Sequence, residues 1–160
     1  MIAVVSDTHM PKGKRQLPEK CVEKIRAAKA VIHAGDFSEV SVLSELEALC
    51  PAVLGVYGNV DEPALWQLLP ETLEVELGGR TVAVVHDAGP KQGRLARMRR
   101  RFPGADAVVF GHSHLPLHEE KGGFQIFNPG SPTERRRAPR ASMGLLHPEP
   151  GGLRFEHVWL

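Results

Sequence analysis

The sequence predicts an α/β fold of two packed sheets with helices on their outer faces. Three observations lead there. In the first half, short uninterrupted apolar runs alternate with amphipathic helical patterns, the signature of buried parallel strands joined by right-handed crossovers. From residue 72 the texture changes to strict alternation and turn-separated strands, which reads as mostly antiparallel pairing. Neither a linker nor an internal repeat breaks the chain, so residues 1–160 read as one domain, long enough to bury its own core.

The elements follow in order. Residues 2–5 (IAVV), 30–34 (AVIHA), 53–57 (VLGVY), 82–85 (VAVV) and 107–110 (AVVF) are short and apolar throughout, as in strands buried on both faces. Residues 18–29 place Val22, Ile25 and alanines on one helical face, with Pro18 suited to a first turn. Residues 38–49 carry the stripe Val42, Leu43, Leu46 and Leu49, with Ser38 as N-cap. A third helix, 61–69, opens with Asp61 as cap and Pro63 early. In TLEVEL (72–77), Leu73, Val75 and Leu77 share one face, and GGR turns the chain back into the next strand. Further strands fall at 124–127, 143–146 and 153–160.

Bulk properties exclude several classes. Net charge is +1, so no global field draws the chain to nucleic acid or a membrane. Cys21 and Cys50 are too few for a disulfide framework and wrongly spaced for a zinc knuckle. The start, MIAVVSD, lacks a basic region and a long apolar stretch. No apolar run approaches the roughly 20 residues of a membrane helix. A cytoplasmic location is expected.

The polar residues collect at the ends of the apolar runs. Asp7 and His9 follow the first, Asp36 the second, Asn59 the third, His86 the fourth, and His112 and His114 the fifth. Ligands of open α/β sheets bind beyond the carboxyl ends of strands. Residues i and i+2 of an extended segment point the same way, so Asp7 with His9, and His112 with His114, are expected to converge. Gly35, Gly58 and Gly111 precede Asp36, Asn59 and His112, permitting close backbone approach. Two aspartates, an amide and four histidines suit Mn²⁺, Fe²⁺ or Zn²⁺ better than Ca²⁺ or Mg²⁺. Seven ligands are too many for one such ion. With one bridging carboxylate they serve two, the arrangement of phosphoryl transfer. His33, His118, His147 and His157 read as ordinary histidines.

SDTH (6–9), HAGD (33–36), GNVD (58–61), His86 and GHSH (111–114) resemble the five motifs of the calcineurin-like metallophosphoesterases. The short length and NPGS (128–131) are similar to the small prokaryotic phosphodiesterase branch. The resemblance implies a four-layer αββα sandwich and a hydrolase using two divalent transition-metal ions per chain, Mn²⁺ first, with Fe²⁺, Zn²⁺ and Ni²⁺ as alternatives. By motif, Asp7, His9, Asp36 and His114 hold the first metal. Asp36 bridges. Asn59, His86 and His112 hold the second. Asp36, Asn59 and His112 are expected to take part in catalysis, and Asn59 and Arg135 in substrate binding.

Two positions depart from the family pattern. Asp87-Ala88 follows His86 where many relatives have glycine, and Val60 stands where larger members carry a histidine that protonates the leaving group. Should another group serve as acid, His33 or a metal-bound water is the next candidate.

The expected reaction is phosphodiester hydrolysis by a metal-bridging hydroxide. Two divalent ions, less two aspartates and one hydroxide, leave a single positive charge, which a monoanionic diester neutralises. The rivals are a phosphomonoesterase with the same site and a non-catalytic scaffold like the retromer subunit of this fold. Arg94, Arg97, Arg99, Arg100 and Arg101 cluster on an expected helix, and Arg135, Arg136, Arg137 and Arg140 follow NPGS. Without interleaved aromatics, they lend nucleic acid no support as a partner. A small phosphodiester is expected instead, and no membrane. The oligomeric state is left open.

Overall fold

Uninterrupted apolar strands need cover on both faces, and the computed structural model, which describes residues 1–160, supplies it. Three strands and three helices alternate first: β1 (Ile2–Val5), α1 (Glu19–Arg26), β2 (Val31–Ala34), α2 (Val40–Leu49), β3 (Val53–Val56) and α3 (Pro63–Leu68). Then come β4 (Thr72–Leu77), β5 (Arg80–Val85), α4 (Arg94–Arg101), β6 (Ala107–Phe110), β7 (Leu117–Lys121), β8 (Phe124–Asn128), β9 (Ser142–Glu149) and β10 (Gly152–Trp159). One sheet has the order β10-β9-β1-β2-β3 and the other β4-β5-β6-β8-β7.

Three cores define four layers. Ile2, Val4 and Ile32 of the first sheet meet Val82, Val84, Val109 and Phe127 of the second. The alternate residues Ala3, Val5 and Val31 face outward onto Cys21 and Ile25 of α1 and Val42 and Leu46 of α2. On the far side Val85, Val108 and Ile126 pack against Met98 of α4 and Phe102. Successive residues of one strand thus enter different cores. A Val or Ile fully withdrawn from water contributes about 1.5–3 kcal/mol, so both faces stabilise the sheet. Cys21 and Cys50 are buried and unpaired. No helix is long and apolar enough to cross a membrane.

The second half is mostly antiparallel, as expected: β4 with β5, β7 with β8, β9 with β10 and β1 with β9 pair that way, while β5, β6 and β8 run parallel. The structure corrects three readings. The β7 strand was not expected, since LHEEK has one aliphatic residue; it is an edge strand on β8, where charge discourages further pairing. Ser38 does not cap α2. Its φ is 90°, and the first turn is instead met by Glu62, whose carboxylate accepts the Val40 N–H at 2.7 Å. Asp61 does not cap α3, which starts at Pro63 after Glu62; its carboxylate is used elsewhere.

Candidate metal centre

Six loops meet at one end of the paired sheets, after β1, β2, β3, β5, β6 and β8. The first five carry the seven residues singled out by the sequence. Their backbone is not extended. Asp7, His9, Asp36, His112 and His114 have φ of 56°, 44°, 60°, 66° and 58°. This left-handed conformation costs an L-residue about 1–2 kcal/mol. Cross-loop hydrogen bonds offset it: Asp7 N–H donates to Gly35 O at 2.9 Å and His9 N–H to Asp36 O at 3.0 Å. The rule that alternate residues point alike therefore does not explain the convergence. His112 and His114 in fact go to different clusters.

In the first cluster Asp7, His9 and His114 come together. His9 Nε2 lies 3.2 Å from His114 Nε2, and His114 Nε2 lies 3.4 Å from Asp7 Oδ1. In the second, Asp36, His86 and His112 gather. Asn59 Oδ1 joins them, 3.0 Å from His86 Nε2 and 3.1 Å from His112 Nδ1. One oxygen faces both: Asp36 Oδ2 is 3.5 Å from His9 Nε2 and 3.3 Å from His86 Nε2.

The surrounding groups fix these side chains. His86 Nδ1 lies 2.7 Å from the Ala34 carbonyl and His114 Nδ1 lies 2.6 Å from that of Glu134. Each ring therefore donates its Nδ1 proton backward and turns Nε2 toward the cluster. Asp7 accepts from the Ser6 hydroxyl at 2.7 Å and from His112 N–H at 3.1 Å. Gly58 and Gly111 are required for closeness. A Cβ on Gly58 would strike Asp36 Oδ1, and one on Gly111 would strike Ser6 Oγ and Asp7 Oδ2.

The donor set fits a cation. Burial pushes the Asp7 carboxyl up to about 7 despite His86 and Ser6 nearby, so protein groups alone do not balance its charge. Burial also raises Asp36, but its hydrogen bond and charge pairing with His86 and the Val60 N–H outweigh that and hold it below the usual range. Burial opposes charge on His86 too, yet Asp36, Asp7 and the Ala34 carbonyl lift it to about 9. Burial lowers His9, and it lowers His114 to about 4, leaving both as neutral lone-pair donors. Two carboxylates and four imidazoles face inward, and the one positive charge the protein itself offers them is a protonated His86; a first-row divalent ion suits the same mixed oxygen and nitrogen donors.

Four residues were not foreseen. Asp61 is buried at 4% exposure and accepts three backbone N–H groups, from Gly58 and Ser38 at 2.7 Å each and Asp36 at 3.2 Å. It ties the β2 and β3 loops together. Its place in GNVD was the available signal. Each buried donor left unpaired costs about 1–3 kcal/mol, so Asp61→Ala should destabilise by about 3 kcal/mol or more. That reads as a lower urea midpoint at unchanged m, and a loss under about 1 kcal/mol would refute the clamp. Ser131 Oγ donates to Asp7 O at 2.8 Å, and Thr133 Oγ1 to Thr8 O at 2.6 Å. Glu134 Oε2 stands 3.8 Å from His9 Nε2, with Oε1 accepting from Arg15 at 2.9 Å.

Other expectations resolve differently. Arg135 donates to Ala138 O at 2.8 Å, closing its own turn, while Arg136 is the arginine set near Glu134. His33 is wholly buried and pushed down to about 3 by burial. Its Nδ1 accepts from Gly35 N–H at 3.2 Å, so Nε2 donates to Thr8 Oγ1 at 3.1 Å. It positions loops and cannot serve as acid. Asp87 is exposed and accepts its own loop's Gly89 N–H. Arg94 donates to Gly89 O, Arg97 to Ala88 O and Arg99 to Gly122 O, so much of the helical arginine cluster braces the fold. His118, His147 and His157 make their contacts elsewhere.

The description of one protein family, the calcineurin-like phosphoesterase superfamily domain, matches residues 1–151. A probable metallophosphoesterase of Methanothermobacter thermautotrophicus is 33% identical over 138 residues, 85% of this chain and 79% of the relative. The phosphodiesterase YfcE of Escherichia coli is 30% identical over 117 residues, 69% of this chain and 60% of the relative. Among solved structures, Thermotoga maritima protein TM1076 is 28% identical with a TM-score of 0.78, covering 99% of this chain and 98% of that one. Zn²⁺-complexed Vps29 of Entamoeba histolytica, at 23% identity, has a TM-score of 0.79 over 99% of this chain and 98% of that one; this likeness shows the shared fold. With nearly its whole length matched and its polar strand ends gathered at one point, the chain belongs to the calcineurin-like phosphoesterase superfamily, with small prokaryotic metallophosphoesterases and phosphodiesterases among its relatives.

Proposed function

We propose that residues 1–160 form a single metallophosphoesterase domain that hydrolyses small phosphodiesters with two divalent metal ions. The observation that carries this reading is Asp36 Oδ2, which faces His9 Nε2 at 3.5 Å and His86 Nε2 at 3.3 Å. A carboxylate oxygen between two clusters is the natural bridge. Asp7, His9, Asp36 and His114 would hold the first ion, and Asp36, Asn59, His86 and His112 the second. Mn²⁺ suits the mixed oxygen and nitrogen set best, with Fe²⁺, Zn²⁺ and Ni²⁺ as alternatives. When bound, such ions supply positive charge for phosphate oxygens and a water activated near neutral pH.

The chain's own groups do the positioning. The Ala34 and Glu134 carbonyls lock the His86 and His114 tautomers, and the Val60 N–H orients Asp36. Asn59 turns Oδ1 to the histidines, which leaves its amide N–H groups for a non-bridging phosphate oxygen. Asn59 and His112 are exposed whereas Asp7 and His114 are buried, so substrate reaches the centre from the second cluster. A scaffold of this fold would gain nothing from seven convergent donors, because unpaired buried carboxylates are costly.

Metal analysis tests the reading. After reconstitution with Mn²⁺ and desalting, elemental analysis should find about two ions per chain. A ratio that never exceeds one under saturating metal rules out the dinuclear centre. A panel of diesters and monoesters should show diesters turned over faster; the reverse order would make the chain a phosphomonoesterase.

A further inference from the structure

A cleft of about 240 Å³ opens directly from the second cluster. Asn59, His86 and His112 form its inner end, and Tyr57, Trp66 and Arg101 form part of its walls. Tyr57 is the chain's only tyrosine and Trp66 one of two tryptophans. Their ring centroids lie 6.1 Å apart at 46°. Trp66 is 49% exposed. A half-exposed tryptophan alone means little. One that shares a cavity with a candidate phosphate centre offers a flat apolar face to whatever the phosphate carries.

We infer that this cleft binds an aromatic ring of the diester substrate, with Trp66 as the specificity-determining wall. The inference rests on the phosphodiesterase reading above and names the substrate class: a diester with one aryl or nucleobase-bearing ester group. Size and charge both decide this. The volume falls below the roughly 300–1,000 Å³ of pockets that enclose a drug-sized ligand, so one ring system fits and an oligonucleotide segment does not. With His86 and His112 neutral on a bound metal ion, the remaining charged groups of the walls are Arg101, Glu71 and Asp87. Arg101 lies 3.8 Å from Glu71, which leaves Asp87 unbalanced. A wall with net negative charge repels a second phosphate and accepts a neutral ring. Stacking on an exposed indole then supplies affinity without base-specific hydrogen bonds.

The test uses Mn²⁺-loaded protein and titration calorimetry with phenyl methyl, cyclohexyl methyl and dimethyl phosphates. Phenyl methyl phosphate should bind about tenfold more tightly than dimethyl phosphate, with the cyclohexyl ester between them. Trp66→Ala should bring the phenyl-to-methyl ratio within about twofold, and Trp66→Phe should keep most of it. No discrimination in the wild type, or the same ratio in Trp66→Ala, overturns the inference. Turnover of bis(4-nitrophenyl) phosphate is followed in parallel. Turnover without ring discrimination sinks the aromatic cleft and leaves the phosphodiesterase standing. Trp66-dependent binding without turnover of any diester sinks the phosphodiesterase and leaves the cleft standing. Measurable binding of none of the three, with no turnover, sinks both.

Discussion

Asp36→Asn lowers kcat/KM for a diester by about a thousandfold or more while the fold survives. The substitution keeps shape and one acceptor. Oδ1 can still accept the Val60 N–H, now 3.1 Å away. What changes is the oxygen between His9 and His86, which becomes a neutral amide nitrogen with no lone pair for a cation. A bridge that loses its charge leaves two positive ions facing each other and weakens both sites together. Loss of several kcal/mol of charge stabilisation corresponds to three or more orders of magnitude in rate. The measurements are kcat/KM with Mn²⁺ in excess, metal content, and circular dichroism to verify the fold. Activity within tenfold of wild type with two ions bound would show that Asp36 is not the bridge. A scaffold would show neither an activity to lose nor a change in partner binding.

The two sheets were legible because both faces of each central strand are covered. In β1, Ile2 and Val4 enter one core while Ala3 and Val5 enter another, and this writes an uninterrupted apolar run. β7 was invisible for the opposite reason: an edge strand buries little and carries Glu119, Glu120 and Lys121. The seven polar residues that converge could be singled out because strand ends repeat a simple pattern, polar group after apolar run. The geometry that unites them was not readable. Asp and His enter the left-handed region more readily than most L-residues, but which of them do so here, at Asp7, His9, Asp36, His112 and His114, is decided with hydrogen bonds between loops distant in sequence. The same limit explains Asp61. Its three backbone partners lie on two different loops, whereas the local sequence suggested only a helix cap. Glu134 sits among arginines, with nothing nearby to signal that it would end beside His9. Among those arginines, sequence could not say that Arg135 turns back to Ala138 while Arg136 stays near the site.

Rates should fall steeply as the leaving group becomes more basic. Val60 is 48% exposed, and its N–H is tied to Asp36, which sets residue 60 beside the Asp36 carboxylate. A valine side chain has no proton to give. Two other titratable side chains near the centre are unsuited: His33 is buried and held neutral, and Glu134 accepts from Arg15. The departing oxygen must therefore leave as an anion or draw a proton from water. A positioned general acid is typically worth 10²–10⁴-fold, and its absence is felt most by poor leaving groups. Diesters with a 4-nitrophenyl leaving group should then be hydrolysed at least about a hundredfold faster than matched alkyl diesters. The comparison is kcat/KM across methyl phosphodiesters of substituted phenols, so that the second ester group stays constant. Val60→His places an imidazole at this rim, and it should flatten the slope by raising the slow end while leaving the fast end nearly unchanged. Its pH profile should gain a falling limb where that imidazole loses its proton. A shallow slope in the wild type would mean that a proton already reaches the leaving oxygen, and a slope unchanged in Val60→His would place residue 60 out of reach of the substrate.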